Sequence, residues 1–125
     1  MQFRLKTSKK TEEIFNMISQ REHLQPFALS KIAIALAIRD NYMASNDESN
    51  IDSNGLELNR QTITSDNDLL FKVLIELNEK RYIEEDDYFP GIVKQYLDYG
   101  ASLLEQEYKY GRNIYTHLVN LEKSI

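Results

Sequence analysis

From Phe27 to Ile38 the chain is apolar apart from Ser30 and Lys31, and its second half, Ile32-Ala33-Ile34-Ala35-Leu36-Ala37-Ile38, alternates alanine with large aliphatics. No other stretch restricts the fold as much. It is too short to span a bilayer. Its length and its alanines favour a helix over a strand. A helix that is apolar on every face belongs in the centre of a core or at an interface between copies. Pro26 fits the first turn of that helix. At 125 residues the chain has the length of one domain and can bury roughly two thirds of its unfolded surface.

The remaining elements follow from periodicity. Residues 2–6, Gln-Phe-Arg-Leu-Lys, alternate, with Phe3 and Leu5 on one face and Arg4 and Lys6 on the other, as in a half-buried strand. Thr7 and Ser8 supply a cap, and Ile14, Phe15, Met17 and Ile18 make residues 9–20 an amphipathic helix. Residues 40–55, rich in Asn, Asp and Ser, read as a loop closed by Asn54-Gly55. Residues 56–63 alternate and read as extended. Ser65 or Asp66 is expected to cap a third helix through Leu69, Leu70, Val73, Leu74 and Leu77. A fourth is expected over 88–109, with Ile92, Val93, Tyr96, Leu97, Leu103 and Leu104 inward. Gly111 is expected to break the chain before a short last helix around Tyr115, Leu118, Val119 and Leu121. The expected fold is mainly α: a ribbon-helix-helix-like N-terminal unit of one strand and two helices, then further packed helices. All of 1–125 forms a single domain, with a basic unit at 1–39, a loop and extended segment at 40–64 and an acidic helical part at 65–125.

Charge is uneven along this layout. The net charge is -5, yet residues 1–39 hold seven basic and three acidic side chains. Residues 40–60 hold one basic and five acidic, and residues 61–125 seven and twelve. A basic front and an acidic rear suit a nucleic-acid face and a partner or solvent face. There are no cysteines, so disulfides, thiolate metal sites and thiol catalysis are excluded. His23 and His117 have no spaced partner for a metal, and Glu84 to Asp87 lacks the glycine and spacing of a calcium loop. No phosphate-binding glycine loop or nucleophile pattern is present. The sequence thus nominates no catalytic residue, metal or cofactor. With no signal peptide in Met1 to Lys10, the expected location is the cytoplasm, with no membrane partner.

The N-terminal unit carries the most information. In a ribbon-helix-helix protein the strands of two chains pair and enter a groove of DNA, and alternate residues face the bases. Here those residues would be Gln2, Arg4 and Lys6. Lys9, Lys10, Arg21, Lys31 and Arg39 would reach phosphates, which position a protein without reading sequence. Outside the front, Arg60 at the end of the acidic loop is the best candidate; its structural alternative is an ion pair with a loop carboxylate such as Asp52.

Several stretches, in order, resemble the DndE family, the small subunit of bacterial DNA phosphorothioation systems. They are the basic front ending in Lys6-Thr7-Ser8, the helix Pro26 to Leu36, and the stretch Gly55-Leu56-Glu57-Leu58-Asn59-Arg60-Gln61-Thr62-Ile63. Asp68-Leu69-Leu70-Phe71 and Tyr99-Gly100-Ala101-Ser102-Leu103-Leu104 follow in the expected places. The resemblance implies a helical fold related to ribbon-helix-helix proteins, a homotetramer, and non-catalytic binding of duplex DNA, notably nicked duplex. It also implies work beside two larger subunits, a DndC-like sulfur-transferring protein and a DndD-like coiled-coil ATPase. The chain departs from the family's lysine-rich surface in being acidic overall. Two other functions fit the residues: a ribbon-helix-helix transcriptional regulator or antitoxin, and a protein-interaction module without a DNA role. The regulator class usually ends soon after its second helix, and here most of the chain follows it.

Overall fold

The computed structural model describes the backbone of residues 3–124 and the side chains of residues 3–111. The expectations for Gln2 and for the side chains around Tyr115 to Leu121 lie outside the described residues.

A short strand, β1 (Arg4–Lys6), buries Leu5 and turns Arg4 and Lys6 outward. Its partner is β2 (Glu57–Asn59) of the same chain, antiparallel, with Leu5 opposite Leu58 and Lys6 opposite Glu57. Further backbone bonds lengthen the ribbon, from Arg60 N–H to Phe3 C=O at 2.7 Å and from Thr7 N–H to Leu56 C=O at 2.8 Å. The strand expected to pair between two chains therefore pairs within one. Phe3, expected beside Leu5 in the core, is 62% exposed, because it lies just outside the paired register and no layer covers it there. The extended reading of 56–63 holds only for 57–59; residues 60–64 turn into α3 (Arg60–Thr64).

Ser8 caps α1 (Lys9–Glu22), its hydroxyl accepting the Thr11 N–H at 3.0 Å. The apolar stretch forms α2 (Pro26–Arg39), which buries Leu29, Ser30, Ala33, Ile34 and Ala37. It lies along α6 (Val93–Ser124), which brings Tyr96, Leu97, Ala101 and Leu104 against it. α2 is a core helix on this face, while Phe27 and Ile32 on its other side stay exposed at 46 and 42%. The small residues serve close approach: a Cβ on Gly100 would stand 1.7 Å from the Ala33 carbonyl oxygen.

Three helix expectations need correction. The third helix, α4 (Asp68–Glu79), starts after a 3-10 turn at Ser65–Asn67 and has no side-chain cap. Its leucines point out rather than in; what it buries is Ile75 and Glu79. The fourth starts late. After a helical turn, α5 (Glu85–Asp87), Phe89 is extended at φ -127, ψ 130, because the Pro90 ring disfavours a helical residue before it. Regular helix resumes only at Val93. Lastly, α6 runs through Gly111 without a break to Ser124, since one interior glycine weakens a helix by only about 1 kcal/mol.

Buried polar groups hold the acidic loop to this core. The Glu79 carboxylate accepts the Ala44 N–H at 2.7 Å and the Tyr96 hydroxyl at 2.6 Å. Tyr42 stacks on Tyr99 with centroids 4.3 Å apart and meets Tyr96 edge-on at 4.9 Å. Burial would raise the Glu79 carboxyl, but the bonds from Tyr96 and Ala44 outweigh it and hold the group below its ordinary 4.5. Its contribution is then complete above that value and is lost as pH falls through the lower folded value. Asp68 and Glu85 are depressed in the same sense. The urea midpoint should therefore be flat from neutral pH down to the ordinary carboxylate range and fall as pH drops below it; a midpoint that rises with acid would contradict these pairings.

Candidate nucleic-acid interface

The basic front assembles where β1 meets the start of α1. Arg4, Lys6 and Lys94 line a shallow groove of about 580 Å³, together with Phe3, Glu57 and Pro90. Lys9 and Lys10 follow in the exposed first turn of α1. Lys94 was not among the candidates, because in sequence it sits in the acidic half. The fold packs the segment Tyr88–Ile92 against the strand and so brings the start of α6 to the groove, where the Lys94 ammonium is held by Asp98 at 2.6 Å.

The backbone N–H groups at the start of α1 form a natural anion site, but it is filled from within. The Lys9 N–H donates to the Asp52 carboxylate at 2.9 Å, and the Ser8 N–H to Asp98 at 3.1 Å. Asp98, 7% exposed, also accepts the Thr11 hydroxyl at 2.7 Å and the Lys94 ammonium at 2.6 Å. Lys94 donates further to the Asp52 carbonyl at 2.9 Å. The N–H of Lys9, with that of Asn54, holds the Asp52 carboxyl below its ordinary value. These contacts pin the acidic loop across the helix start, so phosphates would have to be reached by side chains rather than by this terminus. Beside it lies a second cleft of about 840 Å³, lined by Asp47, Asp52, Asp98, Tyr42 and Tyr99, whose carboxylates disfavour anions.

The eight candidate cations do not form one patch. Arg4, Lys6, Lys9 and Lys10 are near one another in sequence and exposed. Arg21 lies in the last turn of α1, roughly 18 Å along the helix from Lys9 at 1.5 Å per residue. It lines an apolar groove with Leu24, Ile32 and Tyr108. Lys31 rests over the Phe27 ring at 5.7 Å, and Arg39 pairs with Glu107 at 2.5 Å. Within the front, Arg4 faces Glu57 at 3.9 Å, Lys9 bonds Glu12 at 2.6 Å and Lys10 faces Glu105 at 3.7 Å. All of these are surface pairs worth little, and incoming phosphates can displace their carboxylates.

Arg60 is placed differently. Its side chain is only 16% exposed, with Nη2 on Asp68 at 2.7 Å and Nε on the same carboxylate at 3.0 Å. It also pairs with Glu85, and it lies over the Tyr88 and Phe89 rings at 5.2 and 5.4 Å. Its partners are thus Asp68 and Glu85; Asp52, suggested as the structural alternative, caps α1 instead. Lys72 joins the cluster through Glu85 at 3.1 Å. The first depressing influence on Asp68 after burial, which opposes it, is the Arg60 guanidinium. Removing Arg60 would leave Asp68 half-buried without its main partner. Arg60→Ala is expected to cost about 2–3 kcal/mol of stability while leaving any salt dependence of DNA binding unchanged, which denaturant melts and binding titrations would show separately.

The architecture is that of a small, mainly helical protein with a cationic N-terminal ribbon on an acidic body. The family model for DNA sulphur modification protein DndE matches residues 4–111, and the chain belongs to that family. Among solved structures, the crystal structure of DndE from Escherichia coli B7A, involved in DNA phosphorothioation modification, superposes with a TM-score of 0.67. It covers 83% of this chain and 97% of that one at 13% identity, a likeness of fold. No curated protein matches the chain. Among the described residues no helix is long and apolar enough to cross a membrane.

Proposed function

We propose that this chain is a non-catalytic DNA-binding subunit of a DNA phosphorothioation complex. It would hold duplex, nicked duplex included, by its phosphates. The observation that carries this reading is the exposed pair Arg4 and Lys6 lining one groove, beside the exposed first turn bearing Lys9 and Lys10. Family membership supplies the setting. Cations of this kind neutralise phosphates and release counterions without reading bases. A monomer with so few of them would bind weakly. Self-association, up to a tetramer, would repeat the patch and sum its field. The acidic remainder would face DndC-like and DndD-like subunits in the cytoplasm. The pairing of β1 with β2 inside one chain gives the regulator reading less support, since that class forms its ribbon between chains.

The test is a titration of labelled intact and nicked duplexes with the wild-type chain and with Arg4→Glu/Lys6→Glu. Saturable binding at low salt that the double variant loses supports the proposal. Equal binding by both proteins would place the DNA elsewhere, and no binding by the wild type would favour an interaction module without a DNA role.

A further inference from the structure

The face of α4 turned from the core carries Leu69, Leu70, Val73, Leu74 and Leu77, which are 74, 55, 41, 37 and 69% exposed. Soluble monomers rarely leave contiguous apolar patches larger than a few hundred Å² uncovered. The spacing of Leu70, Val73, Leu74 and Leu77 is that of a helix-packing seam. Charged residues of α4 near the core are already engaged, Asp68 with Arg60 and Lys72 with Glu85. The stripe is therefore not an accident of a loosely attached helix: α4 is anchored on one side and apolar on the other.

The stripe is also nearly self-complementary. Leu69 and Leu77 stand four residues to either side of Val73, and Asp66 and Lys80 stand seven to either side. These two charges flank α4 just beyond its two ends. Both are exposed, Asp66 in the 3-10 turn that leads into α4 and Lys80 in the left-handed residue that ends it. One end of the seam is acidic and the other basic.

We infer that this face docks a second copy of the chain: two α4 helices pack antiparallel about a two-fold axis at Val73. Leu69 and Leu70 of each copy then meet Leu77 and Leu74 of the other, and Asp66 faces Lys80 at both ends. Such an isologous contact is closed and uses the same patch twice. A parallel arrangement would set Asp66 against Asp66 and Lys80 against Lys80, and charge disfavours it. The inference rests on the self-association proposed above and names its surface; DNA binding has no part in it.

Because the chain has no cysteine, single cysteines can map the pairing in the full-length protein. Light scattering at micromolar concentration first reports whether copies associate. On oxidation, Val73→Cys is expected to link to itself. Leu69→Cys and Leu77→Cys should each link poorly alone, since antiparallel packing separates like positions by roughly 12 Å along the axis, beyond disulfide reach. An equal mixture of the two should link. Asp66→Lys should weaken association roughly fivefold, and adding Lys80→Asp should restore it. Self-linking at all three positions would overturn the antiparallel geometry. An oligomer in which none of the three positions links would show that another face pairs the copies, and would overturn the surface while leaving self-association intact. A wild-type monomer would overturn both.

Discussion

Replacing Gly100 with alanine is expected to cost about 3–5 kcal/mol, a large part of the stability of a chain this size. The added Cβ would stand 1.7 Å from the Ala33 carbonyl oxygen, 2.3 Å from its carbon and 2.9 Å from its Cα. These are backbone atoms in the middle of α2, so no side chain can rotate aside. The helices would have to separate, loosening Ala33, Ile34 and Ala37 from Tyr96, Leu97 and Ala101. On an open helix the same change adds about 1 kcal/mol through propensity, so the sign is decided by the contact. Gly111 is the control. It lies in the same helix with nothing within 4 Å of its would-be Cβ, and Gly111→Ala should be neutral or stabilising by up to about 1 kcal/mol. Urea melts of the two variants measure the difference; equal midpoints would mean that α2 and α6 do not pack this closely.

Reversing Lys9 and Lys10 to glutamate should weaken DNA binding roughly tenfold or more while the melting transition stays within about 0.5 kcal/mol of the wild type. Both ammonium groups sit on the exposed first turn of α1. Their present partners, Glu12 and Glu105, form surface pairs whose loss costs little. The structural work at this helix start is done by the Lys9 backbone N–H on Asp52 and by Asp98, which the side-chain change leaves in place. If the chain assembles, each copy adds two reversals, and the effect grows with the number of copies that touch one duplex. A fall in binding matched by a fall in stability would assign both lysines to the fold instead.

The sequence made the core legible where period and residue type agreed. The α2 stretch, the Ser8 cap and the stripe of α1 all follow from short-range pattern. The outward face of α4 did not, because a leucine stripe reads the same whether it faces this chain's core or another surface. Nor could pattern show that β1 would find β2, since the partner lies beyond two helices and a long loop. The candidate site was legible in part. The cluster from Arg4 to Lys10 is local in sequence, and the fold keeps it exposed. Lys94 reaches the groove of Arg4 and Lys6 only because Tyr88–Ile92 packs on the strand, and there its charge is taken up by Asp98. Arg60 looked available as a lone cation after an acidic loop, but its carboxylates come from Asp68 and Glu85, eight and twenty-five residues further on.

The central claim is that the front of the chain holds DNA through phosphates, and the dependence of affinity on salt tests it most directly. Binding of the wild-type chain to a nicked duplex, followed from low to moderate salt, should give a linear fall of log K with log salt, with a slope of about -0.9 for each phosphate neutralised. Arg4→Glu/Lys6→Glu should flatten that slope. Affinity that holds unchanged into molar salt, or a slope that the double variant leaves as steep as before, would contradict the account.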